Sequence, residues 1–406
     1  MVKNESPKFH YGYVIVFCCC LIMGINVGLV MSCAGIFYRP VSSELGVSVG
    51  QFGLYMSFNY LASSLMLSVA GRQMKKFGAR LLLTASSAVM GLCLIAMSFF
   101  TAVWQFYAAG CVLGVTLAFL LYLSFPTLIN SWFKARVGFF MGVCSAASGI
   151  GGILFNPVGA YLIINYGWRM TYAIFGVIIL CLLTPVLGLL LRNRPEDKGL
   201  APYGEKNQER GAVSSGGVEY AEAVKMPVFY SMLLFAFFMI ATSTLNLFIP
   251  NYVTGLSYSL EQASLAASAV MVGVTIGKVI LGMINDKNNV LGVVVTAGFG
   301  IIGLGLLLMG EMGIAAITVG CFLFGWAYAG VTVQTPMLVR AVFGSKDYPQ
   351  IYSNVSIAFT VGGALTAGGW GLLSDYIGFK AILSMGIVFL VICGGIGVYA
   401  LQNKKR

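Results

Sequence analysis

Apolar stretches of about 20 residues recur along the whole 406-residue chain, and no other feature limits its fold so tightly. A helix rises 1.5 Å per residue, so each stretch can cross roughly 30 Å of hydrocarbon. Lipid offers no partner to backbone N–H and C=O groups, so a spanning chain must be helical or a closed barrel. The alternating pattern of barrel strands is absent. Twelve spans are read, at about 11–37, 51–71, 81–99, 104–130, 138–163, 170–191, 227–253, 263–284, 291–310, 314–341, 351–373 and 381–402. With 59% hydrophobic and 9% charged residues, against about 25% charged in soluble domains, the chain is expected to be an all-α membrane protein of twelve transmembrane helices.

The net charge of +11 would point a soluble chain toward nucleic acid, but here the charge follows topology. Placing the N-terminus inside puts 20 of the 24 basic residues on inner segments, including Lys3, Lys8, Arg72, Lys75, Lys76, Arg80, Lys206, Arg210, Lys287, Lys404, Lys405 and Arg406. Only Arg39, Arg169 and Lys380 fall outside. This bias places both termini in the cytoplasm of a multi-pass plasma-membrane protein, surrounded by lipid and without a nucleic-acid partner. The first apolar run is too long for a cleavable signal peptide and continues into the bundle.

The ten cysteines all fall within spans, without CxxC spacing or neighbouring histidines, and read as small packing residues. His10 is the sole histidine, at the mouth of the first span. There is no GxxxxGK[ST] loop, so no cofactor and no metal are expected. No nucleophile–base pair can be named, so the chain does not read as an enzyme.

The hydrophilic stretch 192–226 divides six spans from six, giving two units, 1–191 and 227–406, joined by a cytoplasmic linker. The chain repeats across it at an offset of about 210: Pro126, Phe133 and Arg136 recur as Pro336, Phe343 and Lys346. Trp168-Arg169 after Gly167 recurs as Phe379-Lys380 after Gly378, and Gly71 recurs as Gly282. Parallel repeats of this kind imply two pseudo-symmetric six-helix bundles with a midplane site between them.

Lys278 is the one charge deep inside a span, the eighth. A charge at that depth costs about 2.5–3.5 kcal/mol and marks a functional site by default, here an anion's partner. The competing reading is a lysine that snorkels or sits neutral in a packed interface. Its nearest helix end is about six residues, or roughly 9 Å, away. Candidate lining residues are Tyr122, Trp326, Asn59, Asn246 and Gln334, whereas Asn26, Asn156 and Asn354 read as packing amides. Tyr122 and Trp326 either wall the cavity or pack. Gly149–Gly152 and Gly362–Gly369 supply small faces for close helix approach.

The twelve spans and the loop pattern resemble the major facilitator superfamily. Gly71-Arg-Gln-Met-Lys-Lys-Phe-Gly78-Ala-Arg80 is similar to its signature loop between spans two and three, and Gly282-Met-Ile-Asn-Asp286-Lys287 to the counterpart between eight and nine. The resemblance implies gating roles for Gly71, Lys75, Arg80, Gly282, Asp286 and Lys287. Finer matches resemble the oxalate/formate antiporter and monocarboxylate transporter branch: His10-Tyr-Gly-Tyr-Val-Ile-Val16, Pro126–Phe133, Asn156-Pro157, Tyr166-Gly-Trp-Arg169, Arg192–Gly199 and Phe343-Gly-Ser-Lys346. In that branch a cation on the eighth span, four residues before the gate glycine, binds the substrate carboxylate; Lys278 stands four before Gly282. Three positions depart from the pattern. Lys75 replaces the usual Asp, Val274 stands where proton-coupled members place an acid, and span eleven has no second cation.

The expected function is secondary active transport of a small organic monoanion by a monomer, through alternating access. Coupling is by proton symport or by exchange for a counter-anion. Efflux of a larger amphipathic compound is the in-class alternative. A membrane sensor on a transporter fold is the alternative from another class, although only about ten residues precede the first span and four follow the last.

Overall fold

The computed structural model describes residues 10–204, 217–344 and 346–403. Lys3, Lys8, Lys206, Arg210, Lys404, Lys405, Arg406 and Ser345 of the Phe343–Lys346 motif lie outside the described residues. Among the described residues ten helical stretches are long and apolar enough to cross a membrane. One of them, Val137–Leu190, is broken at Gly167, where φ is 78°, and so supplies two spans. The 29-residue helix Val49–Phe77 completes the twelve.

In chain order the spans are α1 (Gly12–Leu45), α2 (Val49–Phe77), α3 (Ala79–Met97), α4 (Val103–Trp132), α5 (137–166) and α6 (168–190). The second bundle contains α7 (Pro227–Gly255), α8 (Leu260–Lys287), α9 (Asn289–Leu308), α10 (Ile314–Phe343), α11 (Tyr348–Ile377) and α12 (Phe379–Gln402). The chain crosses an even number of times, so the described chain ends and the helix ends flanking the connection between the bundles share one face, called here the termini face.

The repeat is visible in how helices begin and turn. Ser48 and Gln51 form a capping box at the start of α2, with bonds of 3.1 and 3.0 Å. Ser259 and Gln262 do the same at α8, at 3.2 and 3.0 Å. Each box satisfies otherwise orphaned N–H groups. Single glycines with positive φ turn the chain between α2 and α3 (Gly78, 82°), α5 and α6 (Gly167, 78°), and α11 and α12 (Gly378, 81°). That conformation is cheap only without a Cβ. On the face opposite the termini, Arg169 pairs with Glu44 at 2.9 Å and donates to Phe100 O at 2.8 Å, and Lys380 pairs with Glu311 at 2.8 Å, so each repeated cation ties the start of its sixth helix to the corner between the third and fourth helices of its bundle.

Several helices extend beyond their apolar stretches. α2 continues through Arg72, Lys75 and Lys76 to Phe77, and α8 through Asp286 to Lys287. The signature segments expected to be loops are therefore last helical turns, with Gly78 and Asn288 as the joints. Long basic side chains allow this by reaching outward from a helix end.

Within each bundle, small residues let backbones touch. A Cβ on Gly151 of α5 would overlap Gly24 of α1, and one on Gly273 of α8 would overlap Phe322 of α10.

Candidate functional site

The two bundles meet along α5–α8 and α2–α11. On α8, Met271, Thr275, Lys278 and Gly282 follow at helical spacing on one face; on α5, Gly152, Gly149, Ser145 and Gly142 do the same. A Cβ on Gly152 would lie 2.5 Å from Met271 Cγ, and one on Gly149 would overlap Thr275. One turn nearer the termini face the picture reverses, for Gly142 and Gly282 both face open space.

The α2–α11 seam behaves alike. Gly50 N donates to Asp375 Oδ2 at 3.2 Å, Gly368 N to Ser57 Oγ at 2.9 Å, and Ser64 Oγ to Thr360 Oγ1 at 3.0 Å. Tyr38 of α1 packs edge-on against Phe248 of α7, with ring centroids 5.3 Å apart. Gly71, further along α2, again meets nothing. The bundles are thus sealed on the far face and parted on the termini face.

Lys278 lies where the seal ends. It is half-buried, and its Nζ donates to Ser145 O at 3.0 Å, Ser145 Oγ at 3.1 Å and Ser148 Oγ at 3.2 Å, all on the opposite bundle. An ammonium has three donors, so these bonds use them all. Among the described residues no carboxylate pairs with it.

Tyr122 is half-buried on α4, and Tyr60 of α2 reaches the opposite bundle, where a Cβ on Gly363 of α11 would lie 2.7 Å from its ring. Tyr328 is level with Lys278, because a Cβ on Gly277 would lie 3.0 Å from the Ala329 methyl. The other expected lining residues are placed differently. Trp326 packs against Phe299 at 4.9 Å, behind α10, and Gln334 Oε1 accepts from Asn285 Nδ2 at 2.8 Å inside the second bundle. Asn59 is fully buried on α2, with its backbone carbonyl against Gly114 of α4, and Asn246 lies in a 3₁₀ turn of α7. Sequence alone does not single out Ser145, Ser148, Tyr60 or Tyr328. For the serines a signal existed, two hydroxyls at i and i+3 beside the α5 glycine stripe.

Of the expected gate residues, Gly71, Lys75, Asp286 and Lys287 are exposed. Among the described residues none of these joins an ion pair across the gap. Arg80 is tied within its own bundle, its Nε donating to Gly188 O at 2.9 Å.

The family model described as Major Facilitator Superfamily matches residues 16–337 and 232–406. The chain belongs to the major facilitator superfamily. It is 23% identical over 339 residues to the uncharacterized MFS-type transporter YhjX of Escherichia coli, covering 80% of each chain. It is 22% identical to monocarboxylate transporter 4 of Gallus gallus, across 87% of this chain and 75% of that one. Two Saccharomyces cerevisiae transporters are matched over only 40% and 42% of their own length. Among solved structures, a bacterial homolog of the human lysosomal transporter Spinster, inward-facing and unoccupied, superposes with a TM-score of 0.74. That match has 14% identity and covers 99% of this chain and 98% of the other, and it shows the shared fold. This major facilitator is therefore a multi-pass membrane transporter of two six-helix bundles.

Proposed function

We propose that the protein carries a small organic monoanion of the monocarboxylate class by alternating access. The observation that carries this reading is the position of Lys278, at the inner limit of the sealed contact and beside the gap. An anion entering from the termini face meets this cation before it reaches the seal. A single cation suits a monoanion, and α11 lacks the Lys or Arg that a dianion site would call for. The similarity to monocarboxylate transporter 4 supports the same substrate class.

In this reading Lys278 and Tyr122 touch the substrate. Trp326 and Gln334 brace α10 from behind, and Asn59 and Asn246, whose buried Oδ1 atoms have no bonded partner, are further polar contacts. The termini face is cytoplasmic, so the conformation is inward-open, and Gly71, Lys75, Arg80, Gly282, Asp286 and Lys287 come together when the gap closes. The units are 1–191 and 227–406 with the linker 192–226 between them. The carrier works as a plasma-membrane monomer without enzymatic chemistry, coupled to a proton or a counter-anion.

The test is uptake of a panel of radiolabelled carboxylates into proteoliposomes, with and without a pH gradient. Saturable uptake of a monocarboxylate supports the proposal. Transport of none of them, by protein that remains folded, overturns it.

A further inference from the structure

Lys278 has no donor to spare. Its three N–H groups are committed to Ser145 O, Ser145 Oγ and Ser148 Oγ, at 3.0, 3.1 and 3.2 Å. Ser148 Oγ also donates to Ser145 O at 2.8 Å, which fixes both serines as one acceptor group on α5. A carboxylate that binds the ammonium must therefore take at least one of these bonds away.

The geometry points to Ser145 and Ser148 as a latch: they are positioning residues that hold Lys278 in the empty carrier, and the substrate carboxylate displaces them. This rests on the proposed anion site and adds its regulation. The bonds cross from one bundle to the other at the termini-side limit of the α5–α8 seal, with open space at Gly142 and Gly282 one turn beyond. While the latch is made, the far face stays shut. When an anion occupies Lys278, one polar tie across the seam is lost and α5 can part from α8. Reorientation then depends on occupancy, so exchange of one anion for another outpaces net movement by the empty carrier.

The test needs no substrate at first. Spin labels are placed through Tyr166→Cys and Glu261→Cys, both exposed on the far face, with the exposed Cys181 replaced by Ser. Distances are measured on the full-length protein in nanodiscs. The Ser145→Ala/Ser148→Ala pair removes two of the three bonds and should shift the ligand-free population toward long far-face distances by about eightfold, the scale of two interhelical bonds lost within a bilayer. Ser148→Thr, which keeps the acceptor, should restore the short distances in a Ser145-intact background relative to Ser148→Ala. Acetate or lactate added to the parent protein should produce the same shift as the double substitution. In proteoliposomes the ratio of exchange to net uptake should fall in the double variant. An unchanged ligand-free distribution in folded double variant overturns the latch, whatever the uptake panel shows. A shift on substitution with no response to any panel carboxylate keeps the serines as a tie across the seam but overturns its release by a carboxylate, and the anion reading with it.

Discussion

Gly149 offers a way to move the carrier without touching its charge. Substituting Ala places a Cβ that would overlap Thr275 Oγ1 and lie 3.2 Å from Met271 O, both on the opposite bundle. Overpacking of this kind costs about 1–3 kcal/mol, or roughly 5- to 150-fold in a two-state ratio. The clash exists only while α5 and α8 are pressed together, so that cost falls on the far-face-closed state alone. The gain in helix propensity from Gly to Ala, about 1 kcal/mol, is common to both states and cancels. Gly151→Ala is the control: its Cβ would overlap the Gly24 backbone within the same bundle, with Gly24 C at 2.7 Å and Cα at 2.9 Å, in either conformation. We expect Gly149→Ala to lengthen label distances across the far face while its thermal unfolding in detergent changes little. Gly151→Ala should lower the unfolding temperature and leave the distances of surviving protein unchanged. An unaltered distance distribution in folded Gly149→Ala, or the same shift in both variants, would refute the conclusion that this seam opens during the cycle.

Two further predictions concern charges at the faces. Asp286 is exposed and, among the described residues, without an ion pair here, so its gating role belongs to the conformation in which the termini face closes. Asp286→Asn should therefore favour the present arrangement more than Lys75→Gln does, and label distances across the termini face showing the opposite order would reject this. At the far face the Lys380 ammonium holds the Glu311 carboxyl below the usual carboxylate range. A lowered folded-state pKa stabilises above the unfolded value and is lost as pH falls through the folded one. The stability difference between the parent and Glu311→Gln should accordingly shrink on acidification in thermal unfolding, and a difference that grows in acid would contradict the pairing.

Much of this architecture was legible in the sequence because lipid leaves so few options. The apolar stretches located the spans, and Gly167 with Trp168-Arg169 marked a joint and corner that recur at Gly378 with Lys380. Lys278 stood out because a charge in an apolar run needs a reason. Helix phase was much harder to read. A span bordered by lipid on one side and by protein on the other is apolar all round, so periodicity does not say which residues face the partner bundle. That is why sequence alone groups Trp326 and Gln334 with Tyr122, although both turn into the second bundle. The π-helical turns at Ile22–Ser32 and Ala118–Leu123, which rotate α1 and α4, had no sequence mark either. Ser145 and Ser148 were hidden in a run of small residues whose packing role was plain, and only the position of α8 singles them out.

The most direct measurement is binding to Lys278→Ala. Loss of the ammonium removes three bonds to α5, worth about 0.6 kcal/mol each on the average for bilayer contacts, and also removes a charge held within a span, which costs about 2.5–3.5 kcal/mol. These effects oppose one another, so the variant should stay folded and inserted. Binding of the transported carboxylate is then compared by calorimetry in the parent, Lys278→Ala and Lys278→Arg. We expect the Ala variant to lose binding and transport together, and the Arg variant to keep a fraction, limited by its different donor geometry. Parent-like carboxylate affinity in folded Lys278→Ala would contradict the assignment of this lysine as the anion's partner.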